Sequence, residues 1–205
     1  MMNLALLPSS YLGPVQYFQK FKNYSNCLIE HHEHLAKQTY RSRCDIYSPN
    51  GRLTLSIPLA HRNKRQSMKD VKISYEYNWQ LLHWRSLESS YRRSPFFEYY
   101  EDDFRPFYHN TKSEYLIDFN DEMLQMLLKL LKLKSNYSFT NEYHKTYENA
   151  DDYRTLISPK EIITADTTFE LKPYFQVFET RHGFIENLSI VDLLFNQGSR
   201  ATDYL

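Results

Sequence analysis

The chain of 205 residues is poor in glycine, and the four it has, Gly13, Gly51, Gly183 and Gly198, are scattered. A dinucleotide fingerprint needs three glycines within six residues, and a P-loop needs a glycine-rich turn before Lys-Ser/Thr, so neither phosphate cradle is encoded. Net charge is absent too, with Lys+Arg 25 against Asp+Glu 25. That excludes the broad basic field of a duplex binder, and no nucleic-acid partner is expected. No apolar run approaches the ~20 residues of a spanning helix; the leucine-rich stretch 127–133 is broken by Lys129 and Lys132. The apolar start, Met1 through Pro8, lacks a basic n-region and is too short for a signal peptide, so a buried first strand and a cytoplasmic protein are expected. Cys27 and Cys44 belong to no CxxC pair, which predicts buried, unreactive thiols and neither a disulfide framework nor a zinc knuckle.

Aromatic residues are abundant: Tyr 18, Phe 13 and Trp 2, within 41% hydrophobic content. That is enough to offset chain entropy, and the length suits one domain over 1–205. Leu4-Ala5-Leu6-Leu7 reads as a short buried strand ended by Pro8. Residues 11–24 open with Gly13-Pro14 and then place Val15, Phe18, Phe21 and Lys22 on one helical face. Cys27-Leu28-Ile29 reads as a second strand, and strand, helix and strand in so short a span predict a βαβ unit with parallel pairing.

Residues 44–48 and 53–58 flank Pro49-Asn50-Gly51-Arg52, a hairpin signal, with Leu53, Leu55 and Ile57 on one face. A polar, basic loop over 61–69 and a further strand over 71–74 follow. Asn78 is the expected N-cap of a helix over 79–93 stopped before Pro95. The aromatic stretch 96–107 reads as helical and ends near Pro106, and 114–134 is the clearest amphipathic helix. Residues 135–169 show no period and read as a long connector over the core. A strand over 174–178, a turn at His182-Gly183 and a helix over 190–196 between Ser189 and Gly198 complete the chain. The predicted class is α/β: a single domain with an N-terminal βαβ unit and a mixed sheet with a β-hairpin, packed by several helices.

Glu30-His31-His32-Glu33-His34 is the densest group of ligand-type side chains. Same-side residues on a strand lie nearly 7 Å apart, wide for one ion, and no HExxH spacing exists, so a polar strand end lining a pocket is expected, with no metal and no cofactor. Arg41 and Arg43, two apart beside Tyr40, would share a face of an extended segment and grip a phosphate or carboxylate; the plainer alternative is a solvated pair at a sheet edge. His83, mid-helix with Ser86 and Ser90 beside Trp79, is the acid/base candidate, against the commoner hydrogen-bonded core histidine. Tyr11, Gln16, Glu30, His32 and the Arg41/Arg43 segment would collect outside the carboxyl ends of the strands, where open α/β sheets bind ligands. The aromatic run from Phe96 to Phe104 would offer stacking surface, although core is the default for such residues.

Several stretches together resemble the WbqC-like family. They are Tyr11-Leu12-Gly13-Pro14-Val15-Gln16-Tyr17-Phe18, Glu30 with His32-Glu33, and Lys37-Gln38-Thr39-Tyr40-Arg41-Ser42-Arg43-Cys44. Further on come Asn78-Trp79 with His83-Trp84-Arg85 and Glu88, Tyr91 with Pro95-Phe96-Phe97-Glu98-Tyr99-Tyr100, and the stretch from Asn187 to Gly198. Ser42 departs from the family pattern, which usually has Asn there, and 135–169 matches little. The resemblance implies a role in cell-surface polysaccharide biosynthesis (O-antigen or capsule), with some relatives described as aminoacyl or glycyl transferases. On that reading the protein transfers an acyl or aminoacyl group to a nucleotide- or lipid-linked sugar. His83 would be the general base with Glu30 and His32 in support, while Arg41 and Arg43 hold the anion and Tyr11, Gln16, Tyr40 and Trp79 contact the sugar. Its partner would be a small sugar or nucleotide sugar, and the sequence leaves a homo-oligomer open. The rivals are a non-catalytic sugar-binding or scaffold protein and a metal-dependent hydrolase built on Glu30 to His34.

Overall fold

The computed structural model describes residues 4–60, 66–110 and 112–205. β1 (Leu4–Pro8) is buried on both faces: Ala5 and Leu7 join the main core while Leu6, pointing the other way, is equally sealed. This is why the strand reads as a continuous apolar run and does not alternate. α1 (Val15–Asn23) returns the chain to β2 (Asn26–Glu30), which pairs with β1 in parallel, so the βαβ unit is present. α1 starts at Val15 because residues 11–14 form the approach turn, in which Leu12 takes φ 43°. Gly13 packs against the Tyr17 ring, and a Cβ there would lie 2.8 Å from Tyr17 Cδ1.

β3 (Arg43–Ser48) and β4 (Gly51–Ser56) form the expected hairpin, with Leu55 buried and Thr54 and Ser56 exposed. Pro49 cannot take the positive φ of a mirror-image turn, so the left-handed step passes to Gly51 at φ 97°. Residues 61–65 of the basic loop lie outside the described residues. The part that follows is anchored, with Met68 fully buried in a short 3-10 turn, Met68–Asp70. The strand expected over 71–74 is only a pair of isolated bridges, Leu59 to Ile73 and Lys72 to Tyr115.

α2 (Trp79–Tyr91) is capped by the Asn78 side chain, which accepts from Leu81 N at 3.1 Å. α3 (Phe97–His109) runs through Pro106, which removes one backbone donor without ending the helix. α4 (Leu116–Leu130) buries Met123, Leu124, Leu127 and Leu128 as its spacing predicts. The connector reading of 135–169 is corrected: the segment supplies β5 (Asn136–Phe139) and β6 (Asp151–Asp152), and the four-stranded sheet has the order β5-β2-β1-β6, all parallel. Parallel and antiparallel pairings thus occupy two separate sheets.

The strand expected over 174–178 is also corrected. Residues 174–176 have no ladder and are held instead by Tyr174 and Gln176, whose side chains donate to Asp192 at 2.8 and 2.9 Å. After α5 (Glu179–His182), Ser189 caps α6 (Ile190–Gln197), and a 3-10 segment, Gly198–Tyr204, closes the chain. Both cysteines are free and buried. Among the described residues no helix is long and apolar enough to cross a membrane.

Candidate functional site

β2 ends on Glu30, which is fully buried at the carboxyl edge of the parallel sheet. Its carboxylate accepts from His32 N at 2.7 Å, Thr140 Oγ1 at 2.8 Å and Arg154 Nη1 at 3.0 Å. Arg154, just beyond β6, also pairs with Asp152 at 2.6 Å and donates to the carbonyls of His144 and Lys145. Its guanidinium lies 5.3 Å from the ring centroids of both Tyr143 and Tyr147. Next to it Arg41 makes a two-pronged contact with Glu33, both prongs at 2.7 Å, and donates to the Arg154 carbonyl. The His32 ring bonds the Thr140 carbonyl at 3.1 Å. Thus the crevice where open α/β sheets usually take a ligand is filled by the chain's own ion pairs. Arg154 and Thr140 escaped sequence reading because their segment has no period; the charge alternation of Asp152 and Arg154 was the available sign.

His83 sits on the inner face of α2, buried against Trp79 with ring centroids 5.0 Å apart. Its Nδ1 bonds the Tyr11 hydroxyl at 2.9 Å, and that hydroxyl meets Tyr108 Oη at 2.8 Å. Burial lowers its pKa to about 4, against a backbone hydrogen bond with Ser56, so the ring is neutral at physiological pH. Burial likewise raises the Tyr11 phenol well above its ordinary value. Tyr11, Trp79 and His83 are therefore one cluster, inside the core.

Two cavities flank the short segment from Tyr40 to Arg43. The first, about 350 Å³, is lined by Gln16, Tyr40, Asp45, Arg52, Glu186 and Asn187 together with residues 158, 159 and 161–163. It lies by the first turn of α1, where Asn187 accepts from Gln16 N at 3.0 Å and donates to Gln16 Oε1 at 3.1 Å. Gln16 Nε2 donates to Asp166 at 2.8 Å, and Asp166 in turn pairs with the buried Lys20 at 2.5 Å. Burial opposes ionisation of Asp166, yet hydrogen bonds from Lys20, Gln16 and Thr168 hold it below the usual carboxylate range. Arg52 is matched to Asp45 at 3.1 Å, and Thr54 donates to the same carboxylate. Glu161 and Glu186 then leave this wall acidic. Burial, helped by Asp45, pushes the Tyr40 phenol up to about 12.

The second cavity, about 290 Å³, is lined by residues 36–38, Ser42, Arg43, Ser56, Ile57 and Leu59. Among the described residues, Lys37 and Arg43 are the only charged ones in that lining. The structure consequently separates the two arginines read as a fork: Arg41 is buried on Glu33, whereas Arg43 turns to this cavity. Among the described residues no group of three or more His, Cys, Asp or Glu side chains is placed to hold a metal ion.

A family model described as the WbqC-like protein family matches residues 9–169. An uncharacterized protein of Mycobacterium tuberculosis is 23% identical over 227 residues, spanning 100% of this chain and 98% of that protein. No solved structure matches the chain. The family match takes in 135–169, where the motif resemblance was thin, and stops before the 187–198 motif. Since it covers well over half of the 205 residues and carries Tyr11, Gln16, Glu30, Tyr40, Arg43 and His83, the chain belongs to the WbqC-like protein family.

Proposed function

We propose that the protein serves surface-polysaccharide biosynthesis, of an O-antigen or capsule, by binding a sugar in the cavity beside Gln16 and Tyr40. The observation that carries this is the make-up of that wall: one aromatic side chain among amide, carboxylate and guanidinium groups, in about 350 Å³. A sugar ring fits such a lining, since its apolar face stacks on an aromatic ring while its hydroxyls pair with planar polar groups. The test is a calorimetric titration of N-acetylated hexoses and nucleotide sugars into wild type, Tyr40→Ala and Gln16→Ala. Affinity should fall about tenfold or more in each variant, a loss of ~1.4 kcal/mol, and unchanged affinity in both refutes the reading.

A further inference from the structure

We propose that the cavity lined by Lys37 and Arg43 is a binding site for a phosphate group, so that the sugar this protein takes is a phosphate ester. The inference rests on the sugar-binding reading only for the sugar; the phosphate site stands on its own geometry. Four observations converge on it.

Among the described residues the Arg43 side chain makes no ion pair or hydrogen bond, and while its Nε is buried without a partner, its two terminal nitrogens are not among the buried unpartnered atoms. Those terminal N–H groups are donors free for an acceptor from outside the chain. This sets Arg43 apart from Arg41, Arg52 and Arg154, each of which is matched to a carboxylate. Secondly, among the described residues no carboxylate lines this cavity, whereas the neighbouring sugar cavity carries Asp45, Glu161 and Glu186 against Arg52 alone. An anion is thus repelled from one side of the Tyr40–Arg43 segment and attracted to the other. Thirdly, Gln38, in the same lining, holds φ 57°, a left-handed conformation that side-chain-bearing residues seldom adopt. Such strain collects where a backbone is shaped around a ligand. Finally, the two basic residues are accompanied by the hydroxyls of Ser42 and Ser56. Two cations with neutral donors match a phosphoryl group carrying about two charges better than a singly charged carboxylate, and the guanidinium fork suits its paired oxygens.

Tyr40 and Arg43 are three residues apart, so their Cα atoms lie within about 11 Å of each other, and both cavities adjoin one short segment of chain.

The test uses pyrophosphate alone, titrated calorimetrically at low ionic strength into wild type, Arg43→Gln and Lys37→Gln, with thermal melts to confirm folding. Because the Arg43 side chain bonds nothing among the described residues, the variant should fold, and its affinity should fall about tenfold. Lys37→Gln, at an exposed position, should weaken binding less and flatten its salt dependence. UDP and geranyl diphosphate in parallel distinguish a soluble carrier from a lipid one: both should depend on Arg43, and the one that binds more tightly than pyrophosphate is the source. The proposal is overturned if wild type does not bind pyrophosphate, if Arg43→Gln binds it as wild type does, or if acetate binds as tightly. A neutral hexose titrated into Arg43→Gln keeps this separate from the sugar reading: retained hexose binding with lost pyrophosphate binding supports the phosphate site, and the reverse overturns it.

Discussion

Arg154→Met is the substitution with the most predictable consequence. Arg154 is the cation that matches Glu30, a fully buried carboxylate, and it also holds Asp152 and two backbone carbonyls. Methionine keeps much of the length and apolar stem but strands the Glu30 charge in a dry site. Breaking a buried pair from one side costs ~3–5 kcal/mol, and loss of the contacts with Tyr143 and Tyr147 adds ~0.5–1 kcal/mol for each. A total near 5 kcal/mol in a chain of this size lowers the melting temperature by roughly 10–20 °C. Thermal unfolding followed by circular dichroism measures this directly. The second arm isolates the cause. Glu30→Gln added to Arg154→Met removes the stranded charge while leaving an oxygen for His32 N and Thr140, so it should recover at least half of the loss. A single variant melting within about 2 °C of wild type, or a double variant no better than the single, refutes the view that this ion pair seals the sheet edge.

Two further outcomes follow from buried groups. Burial pushes the Asp192 carboxyl from 3.8 up to about 6, against hydrogen bonds from Tyr174, Tyr91 and Gln176. Since the folded value lies above the unfolded one, the stability from this group is complete below 3.8 and is lost as pH rises through 6. Wild type should therefore lose about 2 kcal/mol relative to Asp192→Asn between pH 4 and 7.5 in urea unfolding; a difference that does not vary with pH contradicts this. Tyr11→Phe removes the hydroxyl that joins His83 Nδ1 to Tyr108. With two buried polar groups left short of a partner it should cost ~1–3 kcal/mol, and a change under 0.5 kcal/mol would mean the chain of hydroxyls is not formed.

What was legible in the sequence was local. The apolar run of β1, the helical face of Val15, Phe18 and Phe21, the cap at Asn78 and the Asn-Gly hairpin each specify their structure within a few residues, and each is found. What failed depended on distant partners. β5 and β6 are short and only partly buried, and they become strands because β2 and β1 present free edges to them. Conversely, Tyr174 and Gln176 look extended and hydrophobic enough for a strand, but Asp192 takes their side chains and no neighbouring strand takes their backbone. Gln16 and Tyr40 line one cavity, whereas Glu30 and His32 belong to a sealed network and His83 to the core.

The sequence by itself determined the class of fold, the first parallel unit and the residue types from which a site could be made. It also excluded glycine-loop phosphate cradles, because those need a local backbone that four scattered glycines cannot form. Only the tertiary structure decided which charges are spent and which are free. Arg41 and Arg43 look alike along the chain, two residues apart at the start of the same strand. Arg41 meets Glu33 where the chain bends after β2, and a carbonyl from beyond β6, while the Arg43 side chain meets no polar partner among the described residues. Pairing is a property of two groups brought together, and for Arg41 one of those groups comes from 113 residues away; no pattern within a single segment can carry it.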